Sequence, residues 1–217
     1  YEQLMAATSV AEEPPPGSVT PYLQGAFIVL DPRSGAVRAL VGGRDYEDSK
    51  FNRATQATRQ PGSTFKPGVV AWGIEQGLIA SDDEFDCEHG SYRMGGRILH
   101  DHHPYGRLDV AGVLVKSSNL ATGLIGGQFD IELPGELPGM LRPLKTWTSY
   151  STGSIPMGQE LAATPLQVLT ALATLANRGR SISPHLLLGI SGDGNPVRNV
   201  VSTHIVSEST AAWLVQT

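Results

Sequence analysis

The sequence predicts an α+β domain in which an antiparallel sheet is flanked by helices, and three patterns support this fold class. One is an apolar hairpin pattern over residues 26–41, and the others are helical segments with start and stop signals at residues 63–77 and 164–179. A chain of 217 residues with 40% hydrophobic and 17% charged residues has the composition of a globular protein. We therefore expect a folded core rather than a disordered or membrane-embedded chain.

The predicted hairpin consists of two apolar segments joined by a turn. Residues 26–30 are apolar, residues 31–35 (Asp-Pro-Arg-Ser-Gly) favour a turn, and residues 36–41 resume strand character before a Gly-Gly pair. The proline presets φ for the turn, and the glycine can adopt positive φ. Because both strands are largely apolar, we expect helices to cover them.

Two helices carry recognisable end signals. The first is predicted over residues 63–76: a Pro-Gly pair precedes it, Gly77 closes it, and Pro67 falls in its first turn, where backbone N–H groups lack partners. The second starts at the Thr-Pro pair of residues 164–165 and ends at Gly179. Apolar residues follow in it at helical spacing: Leu166, Leu169, Leu172, Ala173 and Ala176.

The remaining segments have weaker patterns. Residues 1–24 contain a Pro-rich polar stretch and are predicted to be a linker or lead-in segment, so that the globular pattern starts at Gly25. Residues 80–107 are predicted to be irregular with short strands, residues 109–123 to be partly helical, and residues 133–139 to form a rigid loop.

Charge and composition exclude some function classes. The net charge is −5 and no Lys/Arg-rich run offsets it, which argues against nucleic-acid binding. Within the sequence no apolar run approaches the ~20 residues that span a bilayer. The start at Tyr1 does not resemble a signal peptide, so the protein is either soluble or anchored by a segment outside this sequence.

Ser63 and Lys66 form a Ser-x-x-Lys pair at the start of the first predicted helix. A serine hydroxyl becomes a good nucleophile when a base removes its proton, and a lysine whose pKa is lowered can be that base. The helix N-terminus adds N–H groups and a positive dipole end that suit a developing oxyanion. The spacing alone does not distinguish this pair from a helix cap followed by a surface lysine.

The surrounding residues make the pair specific. Residues 51–67, which read Phe-Asn-Arg-Ala-Thr-Gln-Ala-Thr-Arg-Gln-Pro-Gly-Ser-Thr-Phe-Lys-Pro, closely resemble the nucleophile segment of penicillin-binding proteins. Further matches occur in the family's order at residues 25–43, 116–119 (Lys-Ser-Ser-Asn), 155–160 (Ile-Pro-Met-Gly-Gln-Glu) and 164–167 (Thr-Pro-Leu-Gln). The resemblance covers most of residues 25–180.

This resemblance implies a role for each matching residue. Ser63 would attack the penultimate D-Ala carbonyl of a peptidoglycan stem peptide, and Lys66 would activate it. In the second motif, Ser117 would relay the proton to an amine, while Asn119 would bind the substrate amide and help hold Lys66. Three neighbours are expected to contact substrate: Thr64, Ser118 and Gln159.

The resemblance also implies the fold, ligands and location. We expect a serine β-lactamase-like fold, acylation by β-lactams, no metal and no cofactor. Other cell-wall synthesis proteins would be partners, and a membrane anchor outside this sequence would hold the domain on the extracytoplasmic face. Residues 86–90 and 157–159 favour class B enzymes of division or elongation, whereas residues 52–66 resemble class A equally.

Two departures from the family pattern are visible. The third motif, Lys-Thr-Gly, is not found: residues 145–147 read Lys-Thr-Trp, and residues 151–153 lack the lysine and precede the 157–159 segment, which the family motif follows. We therefore expect the transpeptidase domain, residues 25–217, to be truncated before this motif, after a helix at residues 207–212. The stretch after Asn119 is also shorter than is usual in the family.

Other interpretations of the sequence remain. A D,D-carboxypeptidase or a β-lactamase-like hydrolase would use the same serine, and a non-catalytic β-lactam-sensing or scaffolding domain would use none. A metal site could be sought among Cys87, His89 and residues 100–103, but adjacent histidines in an extended segment point in opposite directions. Cys87 is a poor nucleophile candidate because acidic neighbours raise a thiol pKa.

Overall fold

The computed structural model describes residues 23–94, 97–118, 139–141, 143–148, 151–186 and 202–217. The strands are β1 (Phe27–Leu30), β2 (Val37–Val41), β3 (Glu84–Asp86), β4 (Ser91–Met94), β5 (Arg97–His100), β6 (Arg107–Asp109), β7 (Met140–Leu141) and β8 (Leu161–Ala162). The α-helices are α1 (Lys66–Glu75), α2 (Val110–Val115), α3 (Ser151–Ser154), α4 (Pro165–Ala176) and α5 (Glu208–Gln216).

The predicted α+β class is confirmed, and the described strands are antiparallel. They pair two by two, as β1–β2, β3–β6, β4–β5 and β7–β8. A parallel bridge between Ala36 and His185 adds a further backbone segment beside the first hairpin. Across the ranges given above, no helix is both long enough and apolar enough to traverse a bilayer.

The predicted hairpin is present as β1 and β2. Its turn is fixed by Asp31, whose carboxylate accepts the N–H of Arg33 at 2.9 Å. This bond, with further ones from Ser34 and Arg38, lowers the pKa of Asp31 to about 2. Within the described residues, the expected helical cover is present where α4 contacts β1. Because side chains alternate along a strand, Phe27, Val29 and Val41 lie on the exposed side.

Local end signals fix the two main helices. At α4, Thr164 Oγ1 accepts the N–H of Gln167, and the Gln167 side chain accepts the N–H of Thr164, which completes a capping box. The first predicted helix differs at its start. A 3-10 turn, Gly62–Phe65, comes first, and α1 begins at Lys66 rather than at residue 63.

Helices α1, α4 and α5 pack around one apolar cluster. Ala71, Leu175 and Val206 are buried in it, with Leu214 packed against them. The three helices therefore form a rigid support behind the 3-10 turn that precedes α1.

A polar contact fastens the far end of α1 to this support. The Glu75 carboxylate accepts the hydroxyls of Ser207, at 2.6 Å, and Thr210. Burial raises the pKa of Glu75, but the hydrogen bonds from these hydroxyls outweigh it and lower the pKa overall.

Residues 80–107 contain short strands, as the sequence predicts. They contain β3, β4, β5 and the start of β6. Pairing of β3 with β6 places Asp109, whose carboxylate caps α2, opposite Glu84 at the start of β3. Cys87, which is 1% exposed, follows the other end of β3. Predictions for residues 1–22, for residues 119–123 and for most of the 133–139 loop fall outside the described residues.

Candidate active site

Lys66 is the first residue of α1, and its side chain is directed into the protein. The residue is 1% exposed. Its Nζ donates to the backbone oxygen of Ser117 and, at 3.3 Å, to Ser117 Oγ. The amine of the first motif and the hydroxyl of the second motif are therefore in direct contact.

Burial changes the basicity of this amine. It lowers the pKa of Lys66 from 10.5 to about 8, and the negative charge of Asp101 opposes the lowering. At that pKa about a tenth of the molecules hold a neutral amine at pH 7, compared with fewer than about one in a thousand for an ordinary lysine. Lys66 can therefore accept a proton near neutral pH.

Ser63 lies in the 3-10 turn just before α1 and is exposed. The N–H of Lys66 donates to Ser63 O, which closes the turn between residues i and i+3. Residues three apart eclipse one another in a 3-10 turn, so positions 63 and 66 share one face. An exposed serine and a buried lysine therefore lie three residues apart on one face of this turn.

The 3-10 turn is supported by the segment Ile155–Met157 and the glycine after it. The Gly158 carbonyl accepts the N–H of Gly62 at 3.1 Å, while the N–H of Gly158 donates to Ile155 O at 2.8 Å. A Cβ on Gly158 would overlap the Gly62 carbonyl and lie 2.6 Å from the Gly62 nitrogen. Gly158 also has a φ of +74°, so two independent reasons favour glycine there.

Ser117 occupies a strained position at the end of α2. Its N–H donates to Leu114 O at 3.0 Å, and the N–H of Ser118 donates to Val113 O at 2.9 Å. These two bonds form a Schellman motif, in which the residue after the cap is left-handed and usually glycine. Ser117 takes that position with a φ of 54°. A left-handed serine costs roughly 1–2 kcal/mol, so the surroundings must hold it there.

Ser118 lies behind Ser117 and is 1% exposed. Its Oγ donates to Asp101 Oδ2 at 2.7 Å, and the buried Sγ of Cys87 lies 3.8 Å from Ser118 Oγ. Burial raises the pKa of the Cys87 thiol, and the charges of Asp101 and Asp86 raise it further. The hydroxyl of Ser118 is therefore directed away from the exposed face that carries Ser63.

Comparison with known proteins identifies the family of this chain. The family model described as "Penicillin binding protein transpeptidase domain" matches residues 25–125 and 121–217. The chain belongs to this family. It is a transpeptidase domain of the penicillin-binding proteins, which are peptidoglycan biosynthesis proteins.

Curated relatives support the same assignment. Penicillin-binding protein 1A of Neisseria gonorrhoeae is 35% identical over 180 residues, covering 77% of this chain and 21% of that protein. A probable peptidoglycan D,D-transpeptidase, PenA, of Neisseria flavescens is 28% identical and covers 71% of this chain and 45% of that protein. The transpeptidase domain thus spans about a fifth of the length of the first relatives it matches. These matches do not decide between class A and class B, so class B stays a prediction.

Solved structures share the fold. The transpeptidase domain of Burkholderia pseudomallei penicillin-binding protein 3 superimposes with a TM-score of 0.77 at 24% identity, over 89% of this chain and 60% of that one. Penicillin-binding protein 3 of Mycobacterium tuberculosis, solved with aztreonam, gives 0.75 at 26% identity, over 87% and 49%. The predicted serine β-lactamase-like fold is therefore confirmed.

The other predicted site residues of the transpeptidase domain take different positions. Thr64 is exposed, and its hydroxyl donates to Pro61 O at 2.7 Å within the turn. Gln159 is exposed beside Gly158, next to the 3-10 turn that carries Ser63. Asn119 lies outside the described residues. Ser118 was expected to contact substrate, but the structure buries it.

Sequence reasoning missed Asp101 and Gly158 as parts of the site. Asp101 belongs to the histidine-rich residues 100–103, and no local sequence pattern links it to the second motif, which begins at Ser117. Across the described ranges, no group of three or more His, Cys, Asp or Glu side chains is arranged to hold a metal ion.

Proposed function

We propose that this domain catalyses D,D-transpeptidation of peptidoglycan stem peptides through an acyl-enzyme on Ser63. One observation supports the proposal most strongly. The buried amine of Lys66, three residues after exposed Ser63, has a pKa of about 8 and donates to Ser117 Oγ at 3.3 Å. A lysine placed and tuned in this way can act as a general base.

Acylation begins with neutral Lys66 accepting the proton of Ser63 Oγ. The oxygen then forms a bond to the penultimate D-Ala carbonyl carbon of the donor peptide. Lys66 returns the proton through Ser117 to the nitrogen of the terminal D-Ala, and the peptide bond breaks. Terminal D-Ala leaves as an amine, and the donor peptide remains as an ester on Ser63.

Deacylation reverses these proton movements. The amine of a second stem peptide attacks the ester carbonyl, and its proton passes through Ser117 to Lys66. The ester bond breaks, a new amide bond forms, and Ser63 recovers its proton from Lys66. The contact between Lys66 and Ser117 supports a shared proton path in both halves of the reaction.

Substrate contacts and setting belong to the same proposal. Gln159 is exposed beside the serine turn and is suited to binding the peptide backbone, as Asn119 is from the second motif. Exposed Thr64 is adjacent to the nucleophile. β-Lactams would acylate Ser63, and the domain would act outside the cytoplasm with other cell-wall synthesis proteins, held there by a membrane anchor.

A labelled penicillin tests the proposal. We expect a covalent, denaturation-resistant label on the wild-type protein and none on Ser63→Ala, with Ser81→Ala as an exposed serine control that keeps the label. A D-Ala-D-Ala stem-peptide mimic offered with an acceptor amine should give the amide product. Free acid as the main product would indicate a carboxypeptidase or β-lactamase-like hydrolase. Reversible or absent penicillin binding would indicate a sensing or scaffolding domain and contradict the proposal.

A further inference from the structure

Asp101 contacts the second motif at its buried middle residue, Ser118, which has no part in the proposed chemistry. It follows β5, seventeen residues before Ser118 in the chain, and its carboxylate accepts the Ser118 hydroxyl at 2.7 Å. Ser118 is 1% exposed, so this bond is shielded from solvent. A buried hydrogen bond to a charged acceptor is among the stronger ones in proteins.

The bond acts where the backbone is strained. Ser117 has a φ of 54° and is followed directly by Ser118, whose N–H completes the end of α2. The Ser117 carbonyl and hydroxyl must both face Lys66 for its two hydrogen bonds to form. The hydrogen bond that holds the Ser118 side chain therefore restricts backbone rotation at Ser117. Such a rotation would relieve the strain at Ser117 and move its hydroxyl away from Lys66.

We propose that Asp101 is a positioning residue for the transpeptidase reaction, which acts through Ser118 to hold the Ser117 hydroxyl against Lys66. The inference rests on the proposed function, because it assigns Asp101 a task in that reaction. The Asp101 carboxylate accepts the hydroxyl of Ser118, which is not one of the reacting groups of the proposed mechanism. Its buried partner explains why the middle residue of the Ser-Ser-Asn triplet is a hydroxyl residue in this chain.

The charge of Asp101 gives a second, separable effect. It raises the pKa of Lys66, against the larger lowering by burial. The other titratable groups close to this pair are Cys87, 3.8 Å from Ser118 Oγ, and Asp86, which acts on Cys87. Geometry and charge can therefore be changed one at a time, by removing either the hydroxyl of Ser118 or the charge of Asp101.

Three variants separate the two effects through the second-order rate of acylation by labelled penicillin, measured from pH 6 to 10. Ser118→Ala removes the hydrogen bond and keeps the charge, so we expect a rate at least about tenfold lower with an unchanged pH midpoint. Asp101→Asn keeps an acceptor oxygen and removes the charge, so we expect the midpoint to move to lower pH. Asp101→Ala should show both changes.

Controls keep the two hypotheses apart. Asp82→Asn is the same substitution at an exposed carboxylate and should behave as wild type. Covalent label on the wild type but not on Ser63→Ala would support the proposed function independently of Asp101. If the wild type takes up no label, the proposed function itself is refuted, and not merely the role of Asp101. If Asp101→Ala does not fold, Ser118→Ala and Asp101→Asn decide. A wild-type rate in Ser118→Ala would overturn the inference. An unchanged or higher midpoint in Asp101→Asn would refute the separate charge effect on Lys66.

Discussion

The pH dependence of acylation follows directly from the burial of Lys66. If its neutral amine is the base, the rate should track the neutral fraction of a group with a pKa of about 8. That fraction is about a tenth at pH 7, about half at pH 8 and about nine-tenths at pH 9. We therefore expect acylation by penicillin to accelerate about fivefold from pH 7 to 8, and about tenfold from pH 7 to 9.

The measurement is the initial rate of covalent labelling at subsaturating fluorescent penicillin, in buffers of constant ionic strength. Lys66→Arg is the matched variant, because a guanidinium keeps the positive charge and cannot be deprotonated in this range. Its rate should fall by about 10²–10⁴-fold, the usual contribution of general-base catalysis, and lose the rise between pH 7 and 9.

Two results would refute the reasoning. One is a wild-type profile that is flat from pH 7 to 9, since the neutral amine would then not limit the reaction. The other is a rising profile in Lys66→Arg, since the titrating group would then lie elsewhere. Intrinsic hydrolysis of the label, measured without protein at each pH, must be subtracted first.

Three further predictions concern the same residues. The free energy of unfolding of Ser117→Gly should exceed that of Ser117→Ala by about 1 kcal/mol, because glycine relieves the left-handed strain at φ 54°. Both variants should lose acylation. Equal denaturant midpoints of the two variants would contradict the strain. Gly158→Ala should slow acylation by about 10²-fold, because the added Cβ would displace Gly62. Gly68→Ala is the control, because a Cβ at that position meets open space, and its rate should stay at the wild-type value. Equal rates in the two variants would contradict the role of Gly158. Because the unfolded state binds more protons than the folded state between pH 8 and 10.5, wild type should gain stability over that window relative to Lys66→Met, by at most about 3 kcal/mol in urea denaturation. A constant difference would refute the lowered pKa.

Features with local causes were predictable from the sequence. The hairpin turn depends on residues 31–35, and the α4 start depends on Thr164 and its partner three residues later, so neighbouring side chains were enough to locate both. The motif pair of Ser63 and Lys66 was predicted from the resemblance of residues 51–67 to the family's nucleophile segment. Only the first turn differed, because the Gly62–Phe65 segment adopts 3-10 geometry before the α-helix begins.

Features with tertiary causes were not predictable. Helix α2 ends at Val115, and its Schellman motif requires Ser117 to be left-handed. Serine disfavours this conformation, but the contact with Lys66, 51 residues earlier in the chain, stabilises it. The buried Ser118 hydroxyl binds Asp101, 17 residues away in the chain, and no local pattern indicates this contact. The predicted roles of Thr64, Gln159 and Asn119 stay predictions.

The most direct test of the account is the site of the covalent adduct after reaction with penicillin at pH 8. Proteolysis and tandem mass spectrometry should place a single acyl group on the side chain of Ser63, with little adduct on the same peptide of Lys66→Met. An adduct on another residue, or an unmodified protein after exhaustive reaction, would contradict the claim that a buried amine activates this serine.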